Sequence, residues 1–440
     1  FLGLFGGWQF LDWLPFNMAR SNSGSLPLMA GYPGFLIVII FATLFMGWSP
    51  PQRANISTLT KKVGDTFFYN TASLIGMYGL ALLFGVFVLQ WLFPDLHKAF
   101  ALLLPAGFVG GHGTATLIGG SLEKVAHWNE ALTIGYTFAT VGILAAVLGG
   151  ILIINVAARR GWTRVVQSAR DMPINLKKGF VPESERTSMG TETVNPLALD
   201  PLTWHIGLVM AAFTLAYYLA HYIENLMAGL LPGKYADKYD LPEFCLALLA
   251  GALIQKMLNM AKIGHYVDRR IMSRIGSAVS DYLIAFGIAS IKITVVLEYA
   301  VPLMIMILLG LLYCLGLFWF VGRKIFRNFW FERGIFVYGW NTGVTGFAIM
   351  LLRVVDPKMK TPTLPDFGLA YLLVSIVEMA TIIVLPLLVA NGIIVVPAFI
   401  LIISFIVCIV LSRYYVGWFP IATDALRDGE TKIVRGPEGG

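Results

Sequence analysis

The chain repeats one device that rules out a soluble globule: apolar stretches long enough to cross a bilayer. A crossing helix needs roughly 20 mainly apolar residues. Such stretches lie near 33–49, 68–93, 131–157, 202–231, 241–260, 278–297, 299–322, 367–390 and 393–416, with the tail of another at 1–14. Of the 440 residues 57% are hydrophobic and 13% charged, too few charges to clothe soluble domains. Cys245, Cys314 and Cys408 all fall inside apolar runs, which predicts packed hydrophobes rather than a disulfide framework or a metal site. The chain opens at Phe1 within an apolar stretch. An upstream helix is therefore expected, and no cleavable signal peptide is visible.

Two further apolar segments, 99–121 and 334–354, are broken in the middle. The first carries GFVGGHGTAT (107–116) and the second WNTGVTG (340–346). Irregular backbone at membrane depth leaves N–H and C=O groups unpaired and is tolerated only beside protein or a wet cavity. Glycine permits the turn and the close approach of a ligand. Half-helix N-termini suit carboxylates, while exposed carbonyls and threonine hydroxyls suit Na+. Both segments are expected to be re-entrant hairpins whose tips meet near the bilayer midplane.

Charge sets the expected direction. If the loop 158–200 is cytoplasmic, alternation puts twenty Lys and Arg on the inside and five on the outside. That asymmetry obeys the positive-inside rule only if both broken segments return to the side they entered. It accounts for the net charge of +7 without nucleic acid as a partner. The C-terminus is then cytoplasmic as well.

FLIVIIFATL (35–44) and YLIAFGIASI (282–291) match in part, as do LGLFGG (2–7) and LALLAG (246–251). Each decamer precedes a long span and then a broken segment. Five spans and one re-entrant segment per half is an odd count, so the halves would be inverted. The expected organisation is a first repeat over 1–157, a cytoplasmic linker over 158–200, a second repeat over 201–390, and an added helix and tail over 391–440. The fold class is an all-α polytopic membrane protein with inverted-topology repeats.

GGHGTA after LLLPAGFV, with FCLALLAGALI (244–254) and SDYLIAFGIASIK (280–292), resembles the glutamate:sodium symporter family over nearly the whole chain. The resemblance implies Na+-coupled import of glutamate or a related acidic amino acid by alternating access. It also implies an elevator-type secondary transporter and a homodimer in the plasma (inner) membrane, with no organic cofactor and no enzymatic step. Import of another small carboxylate, and H+ in place of Na+, stay open. A channel or a membrane-embedded enzyme with His112 as base is disfavoured: paired Asn-Pro-Ala tips, HExxH and paired intramembrane aspartates are all missing from the sequence.

The residues expected to meet substrate are His112, Gly113 and Thr114 at the first tip and Asn341, Thr342 and Thr345 at the second. Asp281, an intramembrane acid, suits an ammonium or Na+. Arg353 suits a carboxylate, or snorkels to the interface. Gly111, Thr116, Gly343 and Ser280 are the candidates for Na+. For each there is a plainer role: His112 holding its turn, the threonines bonding back into their own helices.

Overall fold

The structure is a computed structural model that describes residues 28–47, 56–163, 183, 186, 188–230, 243–326, 328–357 and 359–418. The apolar tail at 1–14, with its LGLFGG, lies outside the described residues. Among the described residues every regular element is helical. Among the same residues eight helices are long and apolar enough to cross a membrane, while the span expected over 33–49 is a shorter apolar helix; a polytopic membrane protein is built this way because a helix pairs all its backbone groups internally.

The first helices are α1 (Leu28–Thr43) and α2 (Ile56–Phe84), the latter continuing through a π turn at Gly85–Leu89 to Leu92. A broken pair follows, α3 (Leu103–Phe108) and α4 (Gly111–Val125), then α5 (Ala131–Arg160). After the linker come α6 (Pro201–Leu230), α7 (Glu243–Met260), α8 (Arg269–Ala289), the short α9 (Ile293–Glu298) and α10 (Ala300–Ile325). The second broken pair is α11 (Trp330–Thr342) and α12 (Thr345–Val355), followed by α13 (Thr363–Ala390) and α14 (Val395–Tyr415). The arms of each pair pack on each other. At about 1.5 Å per residue, the 13 and 11 residues of α11 and α12 span roughly 20 and 17 Å, short of a ~30 Å hydrocarbon core.

The helices form two groups. In one, α1, α6, α7 and α8 pack on one another. In the other, α2 is the hub, packed against α10, α13, α14 and both broken pairs. Small residues let these helices approach closely. A methyl at Gly76 would lie 2.3 Å from the Tyr313 hydroxyl, and one at Gly79 would lie 3.0 Å from Ile402. Tyr313 donates to the carbonyls of Ala72 and Ser73 at 3.2 and 2.9 Å. Helix α14, read from the sequence as an addition, is thus laid along the hub. At one end of it Arg333 of α11 forms a buried ion pair with Asp366 of α13 at 2.6 Å and lies 3.9 Å from Asp65 of α2.

One expected span changes shape. The sequence predicts a crossing over 278–297; instead α8 begins at Arg269 and ends at Ala289. Asp268 caps its start, its carboxylate accepting from the Arg270 and Ile271 N–H groups at 2.5 and 3.3 Å. The Ser290 hydroxyl bonds back to the Phe286 carbonyl at 2.7 Å, and Lys292 is extended before α9 begins. The basic residues Arg269, Arg270 and Arg274 read as loop, but a capped, amphipathic helix start accommodates them.

The described part of the linker is docked. Thr191 donates its N–H to Asp268 at 2.8 Å and its hydroxyl bonds the same carboxylate. Thr193 and the Trp204 indole donate to the Tyr266 carbonyl at 2.7 and 3.2 Å. The Asp268 N–H donates to His205 Nε2 at 2.8 Å. Burial pushes the Asp268 carboxyl up, but the donors from Thr191, Arg270 and Ile271 outweigh it and hold it below the usual carboxylate range.

Candidate functional site between the two helix groups

At the first tip the chain turns through Val109 and Gly110 into α4, and Gly111 takes φ +61°. This is left-handed backbone that favours glycine. A methyl at Gly111 would lie 2.4 Å from Val344 Cγ1, so the two tips touch. At the second tip Gly343 and an extended Val344 separate the arms. A methyl at Gly142 of α5 would meet the Thr342 carbonyl at 2.3 Å. The glycines therefore serve close approach on both sides of the contact.

His112 is buried at 1% exposure. Its Nε2 lies 3.2 Å from the Thr140 hydroxyl, its ring stacks on Tyr136, and a methyl at Gly287 of α8 would sit 2.7 Å from its Cδ2. A methyl at Gly113 would lie 3.2 Å from Ile37 of α1. Thus His112 and Gly113 occupy the seam where the two helix groups meet. The buried Thr114 folds its hydroxyl over Gly110. Thr116 donates to the His112 carbonyl at 2.7 Å and lies 3.1 Å from the Tyr136 hydroxyl. Thr342 donates to the Tyr338 carbonyl at 2.8 Å, and Asn341 Nδ2 donates to the Ser73 hydroxyl of α2. Gly343 packs on Ala146.

Two cavities open along the seam, toward opposite ends of α1. The larger, about 700 Å³, lies between the C-terminal end of α1, the first turns of α8 and the start of α12. Ser280, Asp281 and Thr345 line it together, joined by Arg269, Ser273 and Ser277. The smaller, about 170 Å³, lies beside Gly34 and Val38 of α1, Thr116 and Ser121 of α4, and Glu243 of α7. Between them stand His112, Gly113 and the Gly111–Val344 contact.

The structure thus gathers Ser280, Asp281 and Thr345 around one cavity and sets Thr116 on the other. His112 and Gly113 fall between the two. Asn341 and Thr342 are buried and engaged with α2 and with their own helix. Arg353, on the last turn of α12, is exposed and does not line the large cavity. Sequence reasoning missed Arg269, Ser273 and Ser277. Their spacing of four residues, continued at Ser280 and Asp281, is one helix face, a signal hidden by starting the span at 278.

The chemistry of the large cavity is mixed and complementary. Val344, the N-cap of α12, supplies no side-chain cap, so the first N–H groups of α12 keep the positive end of the helix dipole available. Asp281 brings negative charge and Arg269 positive charge, with serine hydroxyls between. Among the described residues no group of three or more His, Cys, Asp or Glu side chains could hold a metal ion.

A family model described as sodium/glutamate symporter matches residues 96–356, a span that includes both broken pairs, α8 and most of the large cavity's wall. The curated proteins contain no match to this chain, and neither do the solved structures.

Proposed function

The chain belongs to the sodium/glutamate symporter family, and from that premise we propose that it imports glutamate, or a closely related acidic amino acid, on a Na+ gradient by alternating access. One observation carries the reading: the large cavity pairs an uncapped helix start with Asp281 and Arg269. An acidic amino acid has an ammonium and two carboxylates. In this reading the N–H groups of Thr345 and Gly346 take one carboxylate, Asp281 the ammonium and Arg269 the second carboxylate, with Ser277 and Ser280 filling in. The volume of about 700 Å³ falls within the range usual for small-molecule sites.

The seam supports the movement. The broken pairs, taken as re-entrant hairpins from opposite faces, belong with α2, while α1 and α8 belong to the other group. Sliding one group along the other would close the large cavity and enlarge the small one, as in an elevator. With the basic loops inside, the large cavity faces the cytoplasm and the state is inward-open. The recurring order of long helix, broken pair and helix in α1–α5 and α8–α13 supports inverted repeats joined by a cytoplasmic linker. The π turn late in both α2 and α10 (Leu317–Gly322 in the latter) agrees with that pairing. A homodimer in the plasma membrane, as the family resemblance implies, completes the proposal.

The test is uptake by purified protein in liposomes. Labelled glutamate should accumulate with Na+ outside and cease when choline replaces it. Equal entry with and without the gradient would overturn symport. A thermal-shift panel of amino acids and dicarboxylates should rank glutamate or aspartate first; a preference for a neutral amino acid would overturn the substrate class.

A further inference from the structure

Hydroxyls inside these helices generally satisfy themselves. Thr116, Thr137, Thr140, Thr342 and Thr381 each donate to the carbonyl four residues back, at 2.7–2.8 Å. One cluster breaks the pattern. Asn70 of α2 is 0% exposed, yet neither atom of its carboxamide has a partner. The buried hydroxyl of Thr71 has none either, nor does Oδ1 of the buried Asn341. A buried amide or hydroxyl left unpaired has lost its hydrogen bonds to water without replacement, and polar groups this deep are normally hydrogen-bonded.

Asn70 and Asn341 share one place, whereas Thr71, the next residue along, turns to another face of α2. Ser73 lies one turn beyond Asn70 on the same face of α2, with Cβ atoms about 5–6 Å apart by helix geometry. The Ser73 hydroxyl accepts from Asn341 Nδ2, which brings the free Oδ1 of Asn341 to that face. One turn before Asn70, the Thr66 hydroxyl accepts from Arg333 Nη1 at 2.8 Å. Contacts at Thr66–Arg333 and Ser73–Asn341 mean that α2 and α11 run side by side, with Asn70 in the seam between those two contacts. The unsatisfied atoms are mainly oxygens, the ligands preferred by hard cations. Toward the start of α2, about 7.5 Å along the axis, Asp65 shares the Arg333 guanidinium with Asp366. Two carboxylates around one guanidinium favour a cation nearby. The cluster itself contains no carboxylate, which suits a monovalent ion rather than a divalent one.

We propose that Asn70, Ser73 and Asn341 form a Na+ site in the seam between α2 and α11. The proposal rests on the transport reading and names a place for its coupling ion that is separate from the substrate cavity. Asn341 is the link. It lies just before Gly343, and Val344 and Thr345 beyond that turn line the large cavity. An ion held by Asn341 therefore fixes the first arm of the hairpin whose second arm presents the substrate-facing N–H groups.

The test compares thermal unfolding of the purified full-length protein in NaCl and in choline chloride at equal ionic strength, with Na+-dependent glutamate uptake alongside. Asn70→Leu removes the carboxamide; Thr71→Val, on another face of α2, is the control. Wild type should melt higher in Na+. Asn70→Leu should lose that rise, need about tenfold more Na+ for half-maximal uptake, and melt in choline as high as wild type or higher, whereas Thr71→Val should keep the wild-type Na+ response. Should Asn70→Leu fail to fold, Asn70→Ala decides, with Asn70→Asp expected to restore the Na+ response. Wild-type Na+ responses in Asn70→Leu or Asn70→Ala, as a buried water at the cluster would give, overturn the site and leave the transport reading standing. Lack of any Na+ effect on wild-type melting or uptake overturns both.

Discussion

At the scale of single residues, Asp281 and Thr345 bear the proposal most directly. Asp281→Asn keeps the shape and removes the charge, so it should raise the glutamate KM about tenfold or more, as for loss of a charge-assisted hydrogen bond. Thr345→Val keeps the size of the first residue of α12 and should reduce uptake with surface expression intact. Initial rates against glutamate concentration, with surface biotinylation, check both; wild-type kinetics in the pair would remove them from the site. How much of this was legible varied residue by residue. Asp281 announced itself as an acid in an apolar run, and Thr345 as a hydroxyl beside a glycine turn. Asn70 is equally polar and deep, yet a long apolar stretch absorbed it, because its lack of partners is a fact of tertiary packing. Arg353 was the reverse: a conspicuous charge that the fold leaves on an exposed face.

At the scale of elements, both breaks were legible because glycine next to threonine and asparagine is poor material for an uninterrupted lipid-facing helix. Which helix each tip would meet was not, since that depends on register between distant segments. Gly111 tests the contact. Gly111→Ala places a methyl 2.4 Å from Val344 Cγ1 at a φ of +61°, and left-handed backbone alone costs about 1–2 kcal/mol for a residue with a Cβ. The variant should melt several degrees lower and transport poorly. Adding Val344→Ala should recover part of the loss by relieving the clash, with the backbone cost remaining. Melting curves of both variants give the answer, and full stability in Gly111→Ala would show that the tips are not in contact. Helix α8 shows the opposite limit of sequence reading. Its amphipathic start looked like a basic loop until the Asp268 cap and the cavity along its polar face explained it.

At the scale of the whole molecule, the two groups of helices and the seam between them follow from which faces are small enough to interlock, and no linear pattern reports that. Thiol labelling tests it. In a background without Cys245, Cys314 and Cys408, Ser277→Cys should react with an impermeant reagent supplied from the cytoplasmic side, and Ser121→Cys with the same reagent supplied from outside. External Na+ with glutamate should change the two rates in opposite directions. Labelling of both from a single side would overturn the two-sided arrangement. The moored linker adds a mechanical corollary. Thr191 is tied to the residue that caps α8 and Thr193 to Tyr266 just before it, so any tug on that tether is delivered to the lever that carries Asp281 at its middle.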